Sequence, residues 1–270
     1  MKFKVFTIPH TIFAAAHLVE QLNDLGHQAE LIGKLDPKDT AMHIIYNPAV
    51  IRHPLPKNYI VYQTEIGTSK WFNAHYLNII QKAVAVWDYS PVNVIRYQQY
   101  NKCISIVTPG VWEQEQAAKD IPVTFYGWVK GSARRHQLLT EINKSIPVNV
   151  VTNSMGNEMW KILRRTKVVL NLHFYNNSPL EVFRVNEALS FGCQVVSEPP
   201  AMVRYKGLVH FETGADKLMK RLKKAVEKEV ELSLERLDNT EELRKAIADL
   251  PHFKSLSSAS SSPKDILRKV

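Results

Sequence analysis

The chain has 270 residues, of which 45% are hydrophobic and 23% charged, so it has enough apolar side chains for one large core or two small ones. Its 35 Lys and Arg against 26 Asp and Glu give a net charge of +9, which favours anionic partners such as phosphate, nucleic acid or an acidic membrane surface. No apolar stretch approaches the roughly 18–20 residues of a membrane span, and the N-terminal MKFKVFTIPH lacks the pattern of an export signal. The two cysteines, Cys103 and Cys193, lie far apart in apolar runs, so we expect free, buried thiols and a cytoplasmic protein.

Short apolar strands alternate with amphipathic segments along the first part of the chain, the pattern of a parallel α/β domain. Strands are predicted over residues 3–8, 29–32, 43–46, 59–63, 84–87 and 104–108. Helices are predicted over residues 12–25, 70–82 and 91–99. Pro109 and Gly110 then interrupt the pattern.

The same alternation restarts after Pro122. Strands are predicted over residues 123–126, 148–152, 168–172 and 194–197, and helices over 133–143, over 158–165 and from about 180. From Gly214 the composition is that of a long helix, and the Ser-rich segment after Pro251 is expected to be disordered. We therefore predict two α/β domains, 1–118 and 119–213, C-terminal helices over 214–250 that can cross back to the first domain, and a flexible tail over 251–270.

Three charged residues follow the predicted strand 168–172. On a helix that begins near Leu180, Glu181, Arg184 and Glu187 recur at i, i+3 and i+6 and share a face. The N-terminal end of a helix attracts phosphate, an arginine adds a charge-assisted contact, and an acidic residue one turn deeper can accept hydrogen bonds from a ribose. The alternative is an exposed ladder of ion pairs on a solvated helix face.

Several common motifs are absent from the sequence. It contains no Asp-x-Asp, Walker loop, GxGxxG, GxSxG, HExxH or CxxC, and its ten histidines are scattered. We therefore expect no metal and no bound cofactor. Arginines, lysines and helix N-termini would then stabilise any leaving diphosphate.

Three segments resemble one family of enzymes. LNLHFYNNSPLEVFRVNEALSFGCQVVSEP resembles the C-terminal signature of GT-B glycosyltransferases, the group that includes CgeB-like proteins, group 1 glycosyl transferases and short bacterial and phage sugar transferases. VTFYGWVKGSARRHQLLTEI is similar to the start of the nucleotide-binding half of those proteins, and AVWDYSPVNV to a segment of their N-terminal half. The resemblance touches most of residues 59–199.

The resemblance implies a GT-B fold, in which two Rossmann-like α/β domains face each other across a cleft. The first domain would bind the acceptor and the second a nucleoside-diphosphate sugar. Glu187 would hold the ribose, Arg184 with Arg134 or Arg135 the diphosphate, and Glu181 would approach the sugar. The family's two glutamates are separated by seven residues, whereas five separate Glu181 from Glu187.

Four further positions complete the predicted donor site. Gly127, Gly131 and, less specifically, Gly156 would let backbone approach the phosphates, or they would serve simple turns. His173 follows a strand end and would point to the same cleft.

The catalytic base should come from the first domain. Asp88, His10 and Glu65 follow predicted strands and are the candidates, with His17 further along the first helix. Each has a structural alternative: Asp88 as a helix cap, His10 as a turn residue and His17 as a packed helix residue.

The predicted function is transfer of a sugar from a nucleoside-diphosphate sugar, a UDP-sugar first among them, to a hydroxyl of an anionic acceptor. One alternative is a phage-type DNA glycosyltransferase that adds glucose or arabinose to hydroxymethylated bases in the host cytoplasm. The basic segment 217–228 would then follow phosphates and Trp71, Phe72 or Trp112 would act as a wedge. A second is a transferase with a glycolipid or polysaccharide acceptor, whose basic segment would lie on a membrane surface. A third is a degenerate GT-B fold that serves as a non-catalytic binding protein.

Overall fold

The computed structural model describes residues 1–67, 69–175, 178–200, 202–228 and 230–251. The chain divides into two compact units. Of the described residues, the first contains Met1–Phe6, Gln21–Thr108 and those from Asn239 onward, and the second contains those of Thr7–Glu20 and Pro109–Asp238. The first helix, α1 (Ile12–Asp24), therefore begins in the second unit and ends in the first.

The first unit is built on a six-stranded parallel sheet. Its strands are β1 (Lys2–Phe6), β2 (Gln28–Ile32), β3 (Met42–Tyr46), β4 (Tyr59–Gln63), β5 (Ala85–Asp88) and β6 (Ile104–Ile106), in the order β2-β1-β3-β4-β5-β6. Its other helices are α2 (Ala74–Lys82), α3 (Pro91–Val94) and, after the second unit, α8 (Thr240–Ala248). Every residue of β3 and β4 is buried, as expected for central parallel strands covered on both faces.

The second unit is built on a five-stranded parallel sheet. Its strands are β7 (Ile121–Tyr126), β8 (Asn149–Val151), β9 (Thr166–Asn171), β10 (Gln194–Ser197) and β11 (Val209–Phe211), in the order β11-β10-β9-β7-β8. The helices are α4 (Ala133–Asn143), α5 (Asn157–Arg165), α6 (Val182–Ser190) and α7 (Ala215–Glu227). The short strand β11 was not predicted from the sequence.

Both sheets have the same doubly wound order. In each sheet the first strand in the chain lies between the second strand, on one side, and the third strand, on the other. This confirms the predicted fold class of two Rossmann-like α/β units with parallel sheets. In sheets of this order the direction of winding reverses between the first and third strands, and ligands bind outside the carboxyl ends of those two strands. The reversal points are β1/β3 in the first unit and β7/β9 in the second. The predicted cleft between the units stays a prediction.

The segment 214–250, predicted as C-terminal helices and with the composition of a long helix, forms two separate helices. Helix α7 ends at Glu227, and α8 begins at Thr240 and belongs to the first unit. Leu218, Leu222 and Ala225 of α7 are buried against the second sheet and α4. The buried apolar stripe of α7 ends within its last turn. Because helices in proteins are stabilised mainly by packing an apolar face, further helical residues without such a face would add little stability. Within the described ranges, no helix combines the length and apolar character that crossing a bilayer demands.

The buried stripe of α7 leads to a stability prediction. Leu222 is fully buried, so Leu222→Ala should lower the free energy of unfolding by about 2–5 kcal/mol through lost burial and a residual cavity. Urea unfolding followed by tryptophan fluorescence measures the change. Lys223→Ala, on the exposed side of the same helix, should stay within about 0.5 kcal/mol of the wild type. Equal effects of the two substitutions would contradict this packing.

Candidate functional site

The carboxyl ends of β7 and β9 form the reversal point of the second sheet. β7 ends at Tyr126 and continues into a loop that reaches α4 at Ala133, while β9 ends at Asn171, ten residues before Glu181. Ser132 caps α4 with its hydroxyl, which accepts from the backbone N–H of Arg135 at 3.4 Å. The structure brings six of the predicted donor-site residues into one network of contacts here, and Glu187 joins it through Tyr126. The six are Gly127, Arg134, Arg135, His173, Glu181 and Arg184.

Glu181 immediately precedes the first residue of α6, and its side chain is only 15% exposed. Its Oε2 accepts hydrogen bonds from Asn171 Nδ2 at 3.0 Å and from His173 Nδ1 at 2.7 Å, and its Oε1 lies 3.8 Å from a guanidinium nitrogen of Arg135. Burial by itself raises the pKa of this carboxyl, but the His173 hydrogen bond and the charge of Arg184 outweigh it and hold the pKa at about 2. Glu181 is therefore a buried, ionised carboxylate.

His173 is a buried cation. Its Nδ1 donates to Glu181, and its Nε2 lies 2.8 Å from the carbonyl oxygen of Pro199. A carboxylate and a carbonyl can only accept, so both ring nitrogens must carry a proton. Burial lowers the pKa of His173, but the hydrogen bond and charge of Glu181 raise it more, so the net shift is upward.

Arg135 is enclosed in the protein, with 1% of its surface exposed. It donates to the carbonyl oxygens of Trp128 at 2.6 Å and of Leu172. Its guanidinium carbon lies 5.3 Å from the ring centroid of Phe125 and 5.2 Å from that of Phe174. Burial, and next the charge of Arg184, lower its pKa to about 9. Arg135 thus fastens the loop after β7 to the end of β9, and it is covered rather than open to a ligand.

Arg134 is paired with a carboxylate that the sequence reasoning missed. Both terminal nitrogens of Arg134 donate to Glu198, the residue after β10, and one of them also donates to the carbonyl oxygen of His173 at 2.6 Å. Glu198 also accepts from the backbone N–H of His173 at 2.8 Å. The only signal for Glu198 in the sequence was its position directly after a strand.

Arg184 is held in place without a carboxylate partner. Its Nη1 donates to Asn171 Oδ1 at 2.8 Å, and its guanidinium carbon lies 5.7 Å from the ring centroid of Tyr126. A Cβ on Gly127 would lie 2.8 Å from Nη2 of Arg184, and Gly127 has φ +135°, a conformation that favours glycine. Among the described residues, no acidic side chain lies within ion-pair distance of Arg184.

Glu187 lies one turn further along α6 and is fixed by two aromatic side chains. Its Oε1 accepts from Trp160 Nε1 at 2.8 Å, and its Oε2 lies 3.1 Å from the Tyr126 hydroxyl. Burial raises the pKa of Glu187 to about 7. The exposed ladder of ion pairs is therefore not formed. In the described chain, the partners of Glu181, Arg184 and Glu187 come from β9 and the loop after it, from α4 and α5, and from the end of β7.

Two of the predicted catalytic residues meet in the first unit, and two lie elsewhere. Asp88 ends β5 with no exposed surface, and the partly buried Glu65 follows β4 nearby. His10 is exposed in the short 3-10 turn Pro9–Thr11, and the ring of His17 stacks on Trp112 with centroids 5.8 Å apart. Both histidines group with the second unit.

The predicted wedge residues differ in exposure. Phe72 packs against the core of the first unit, and Trp112 contacts Phe13 and His17. Trp71 is 38% exposed, and Trp128, which the sequence reasoning did not single out, is 53% exposed in the loop after β7.

Within the described residues, no group of three His, Cys, Asp or Glu side chains is placed to hold a metal ion.

Comparisons with known proteins give limited likenesses. No family model and no curated protein matches this chain. A structure from Listeria monocytogenes, provisionally described as a UDP-N-acetylglucosamine 2-epimerase, is 11% identical with a TM-score of 0.49, over 94% of this chain and 97% of that one. MurG from Acinetobacter baumannii is 12% identical with a TM-score of 0.35, over 96% and 100%. The C-terminal part of RcsC from E. coli, with a phosphoreceiver domain, is 12% identical with a TM-score of 0.26, over 84% and 93%. Similarities at this level support no conclusion about the function of this chain. Its fold is defined by the strand order of its own two sheets.

The His173–Glu181 pair predicts a dependence of stability on pH. The pKa of His173 is higher in the folded than in the unfolded chain, so the stabilisation is complete below the unfolded value of about 6.5 and is lost as pH rises through the folded value. The urea midpoint of the wild type should therefore fall above pH 6.5, and Glu181→Gln should make that fall smaller; the remainder comes from Glu187, whose raised pKa also costs stability as pH rises through about 7. If plots of the urea midpoint against pH run parallel for the wild type and Glu181→Gln between pH 6 and 9, the His173–Glu181 pair does not contribute to the pH dependence of stability.

Proposed function

We propose that the protein is a glycosyltransferase that takes a sugar from a nucleoside-diphosphate sugar, with UDP-sugars as the first donors to test, and transfers it to a hydroxyl of an anionic acceptor. One observation carries the proposal. Arg184 is held at the reversal point of the second sheet by Asn171 and Tyr126, yet in the described chain no carboxylate forms a direct ion pair with it, and the charges of Glu181 and Glu187 act on it only from a longer distance. A fixed arginine without an ion-pair partner, at the place where doubly wound sheets bind ligands, suits a phosphate.

The surroundings of Arg184 favour a diphosphate. The first backbone N–H groups of α4 have no acceptor within the helix and carry the positive end of its dipole. The loop from Gly127 to Ser132 leads directly into this helix end, and Lys130 in that loop is exposed. These donors would stabilise the negative charge that develops on a leaving diphosphate without a metal, and one such donor is commonly worth about 3 kcal/mol of barrier.

Glu187 is proposed to hold the ribose. Trp160 and Tyr126 fix its carboxylate, and each carboxylate oxygen can accept more than one hydrogen bond. Because the pKa of Glu187 is raised to about 7, ribose hydroxyls that donate to it would favour the ionised form. Donor binding should therefore strengthen as pH rises through 7.

The reaction is a substitution at the anomeric carbon of the donor sugar. The acceptor hydroxyl oxygen forms a bond to that carbon while the bond from the carbon to the diphosphate oxygen breaks, and the electron pair stays on the diphosphate. A protein side chain acts as the base that takes the hydroxyl proton; Asp88 and Glu65 belong to the first unit, and His10 groups with the second. Asp88, Glu65 and His10 are the proposed candidates for this base.

The acceptor is proposed to be anionic because five lysines of the α7 segment are exposed: Lys217, Lys220, Lys223, Lys224 and Lys228. This charge suits DNA phosphates or an acidic glycolipid or polysaccharide equally. The salt dependence of acceptor binding distinguishes the two, because the affinity of a protein for DNA phosphates falls steeply as the salt concentration rises. Donor binding without any sugar release would instead favour a non-catalytic binding protein.

The first experiment is a thermal-shift panel of UDP-, GDP-, ADP- and CMP-sugars with the wild type and Glu187→Ala. One donor should raise the melting temperature of the wild type, because ligands that bind only the folded state stabilise it. The shift should disappear in Glu187→Ala. A panel in which no donor changes the melting temperature would refute the proposal.

The role of Arg184 is tested by titration calorimetry with the nucleoside diphosphate that the panel identifies. Arg184→Ala should weaken binding by about 10- to 100-fold, because a hydrogen bond to a charged group contributes about 1.5–3 kcal/mol. Arg165→Ala is the matched control, since Arg165 lies at the end of α5 and pairs with Asp120 in an exposed ion pair. Equal losses in the two variants would indicate a general charge effect and not a site at Arg184.

A further inference from the structure

Asp88 ends β5 in the first unit and is completely buried. Its carboxylate oxygens accept four hydrogen bonds, from Ser90 N at 2.8 Å, Tyr97 Oη at 2.7 Å, Asn93 Nδ2 at 3.2 Å and Gln63 Nε2 at 3.1 Å. A carboxylate enclosed by four donors has no open face for an acceptor hydroxyl. Asp88 is therefore poorly placed to act as a base itself.

The charge of Asp88 fixes the orientation of two neighbouring amides. An ionised carboxylate can only accept, so the NH₂ groups of Gln63 and Asn93 must both face it. Their amide oxygens then point away from Asp88. Gln63 Oε1 accepts from the backbone N–H of Glu65 at 2.5 Å, and Asn93 Oδ1 accepts from that of Gly67 at 3.0 Å.

The same amides hold the carbonyl of Glu65. Its backbone oxygen accepts from Gln63 Nε2 at 2.7 Å and from Asn93 Nδ2 at 3.2 Å. Both backbone groups of Glu65 are thus bound by side chains whose orientation Asp88 dictates. A local change in Asp88 should therefore reach Glu65 through Gln63 and Asn93.

The side chain of Glu65 is fixed but remains partly exposed. Its Oε2 accepts from Ser69 Oγ at 3.0 Å, and Asn47 also donates to the carboxylate. Asn47 adopts a left-handed conformation, with φ +47°, directly after β3. Glu65 therefore sits at the carboxyl edge of the first sheet, held by residues that follow β3 and β4. Burial raises its pKa above the ordinary value of a glutamate.

We propose that Glu65 is the general base of the transfer reaction and that Asp88 is its positioning residue, acting through Gln63 and Asn93. This inference rests on the proposed function. The Glu65 carboxylate takes the proton of the acceptor hydroxyl while the hydroxyl oxygen bonds to the anomeric carbon and the electron pair of the breaking bond stays on the diphosphate. The simpler alternative is that Asp88 only joins β5 to the turn that begins α3.

The test compares Glu65→Gln, Asp88→Asn and Asn93→Ala, with Tyr97→Phe as the control. Tyr97→Phe removes a donor to Asp88 without touching Gln63, Glu65 or Gly67. Asn93→Ala leaves Asp88 in place and removes the Asn93 hydrogen bonds that connect Asp88 to Glu65. The positioning role of Asp88 can therefore still be tested if Asp88→Asn fails to fold.

The first readout is the rate of UDP release from a UDP-sugar as a function of pH, with water as the acceptor. Glu65→Gln should lower kcat by about 100-fold or more and abolish the acidic limb of the pH profile. Asp88→Asn and Asn93→Ala should lower kcat by less, keep the donor KM unchanged, and retain an acidic limb at a shifted pH. Loss of that limb in Asp88→Asn with its retention in Glu65→Gln would make Asp88 the base and overturn the proposal.

The second readout does not depend on activity. Carboxyl carbon NMR of the full chain should show the titration of Glu65 shifted toward that of an exposed glutamate in Asp88→Asn and Asn93→Ala, and unchanged in Tyr97→Phe. An unchanged Glu65 titration in both of the first two variants would overturn the positioning role. Failure of every donor of the thermal-shift panel to bind the wild type would refute the proposed function instead, and the NMR result would still decide whether Asp88 controls Glu65.

Discussion

The contact between Glu181 and His173 organises the carboxyl edge of the second sheet. A carboxylate is expensive to bury alone, and Glu181 is stable there because His173 and Asn171 donate to it and Arg135 lies nearby. The same contact connects the residue before α6 to the chain that leaves β9. It also makes His173 a cation, whose charge the carboxylate of Glu181 balances.

Glu181 in the second unit and Asp88 in the first are both enclosed carboxylates, with opposite electrostatic results. Glu181 is surrounded by cations, and its pKa falls to about 2. Asp88 is surrounded by neutral donors from Tyr97, Asn93, Gln63 and the backbone of Ser90, and burial raises its pKa to about 6. Charged partners and neutral dipoles can both satisfy a buried carboxylate, but only charged partners compensate fully for the loss of solvent. The contrast lies between individual sites, because Glu187 of the second unit also accepts from neutral donors, Trp160 and Tyr126, and its pKa is likewise raised.

Local sequence signals placed most of the elements. The structure has the predicted bounds for strands 59–63 and 194–197 and for helix 133–143. The length of an apolar run sets the bounds of each strand, and the Ser132 cap sets the start of the helix. The helix predicted from residue 70 begins instead at Ala74, since Asn73 accepts from the backbone of Tyr76 and starts the helix there. Helix 91–99 is shorter than predicted and ends at Val94. Strand β11, with three residues, is too short for its alternation to be visible.

The sequence by itself determined two parallel α/β units and a group of acidic and basic residues next to a strand end, because both follow from local patterns. Only the tertiary structure decided which of those charges are paired. Arg134 meets Glu198 across 64 positions and Arg135 meets Leu172 across 37, while Arg184 keeps no carboxylate partner among the described residues. The physical reason is the order of the parallel strands. Crossover connections place β7 beside β9, and no local pattern reveals which distant strand ends will share an edge.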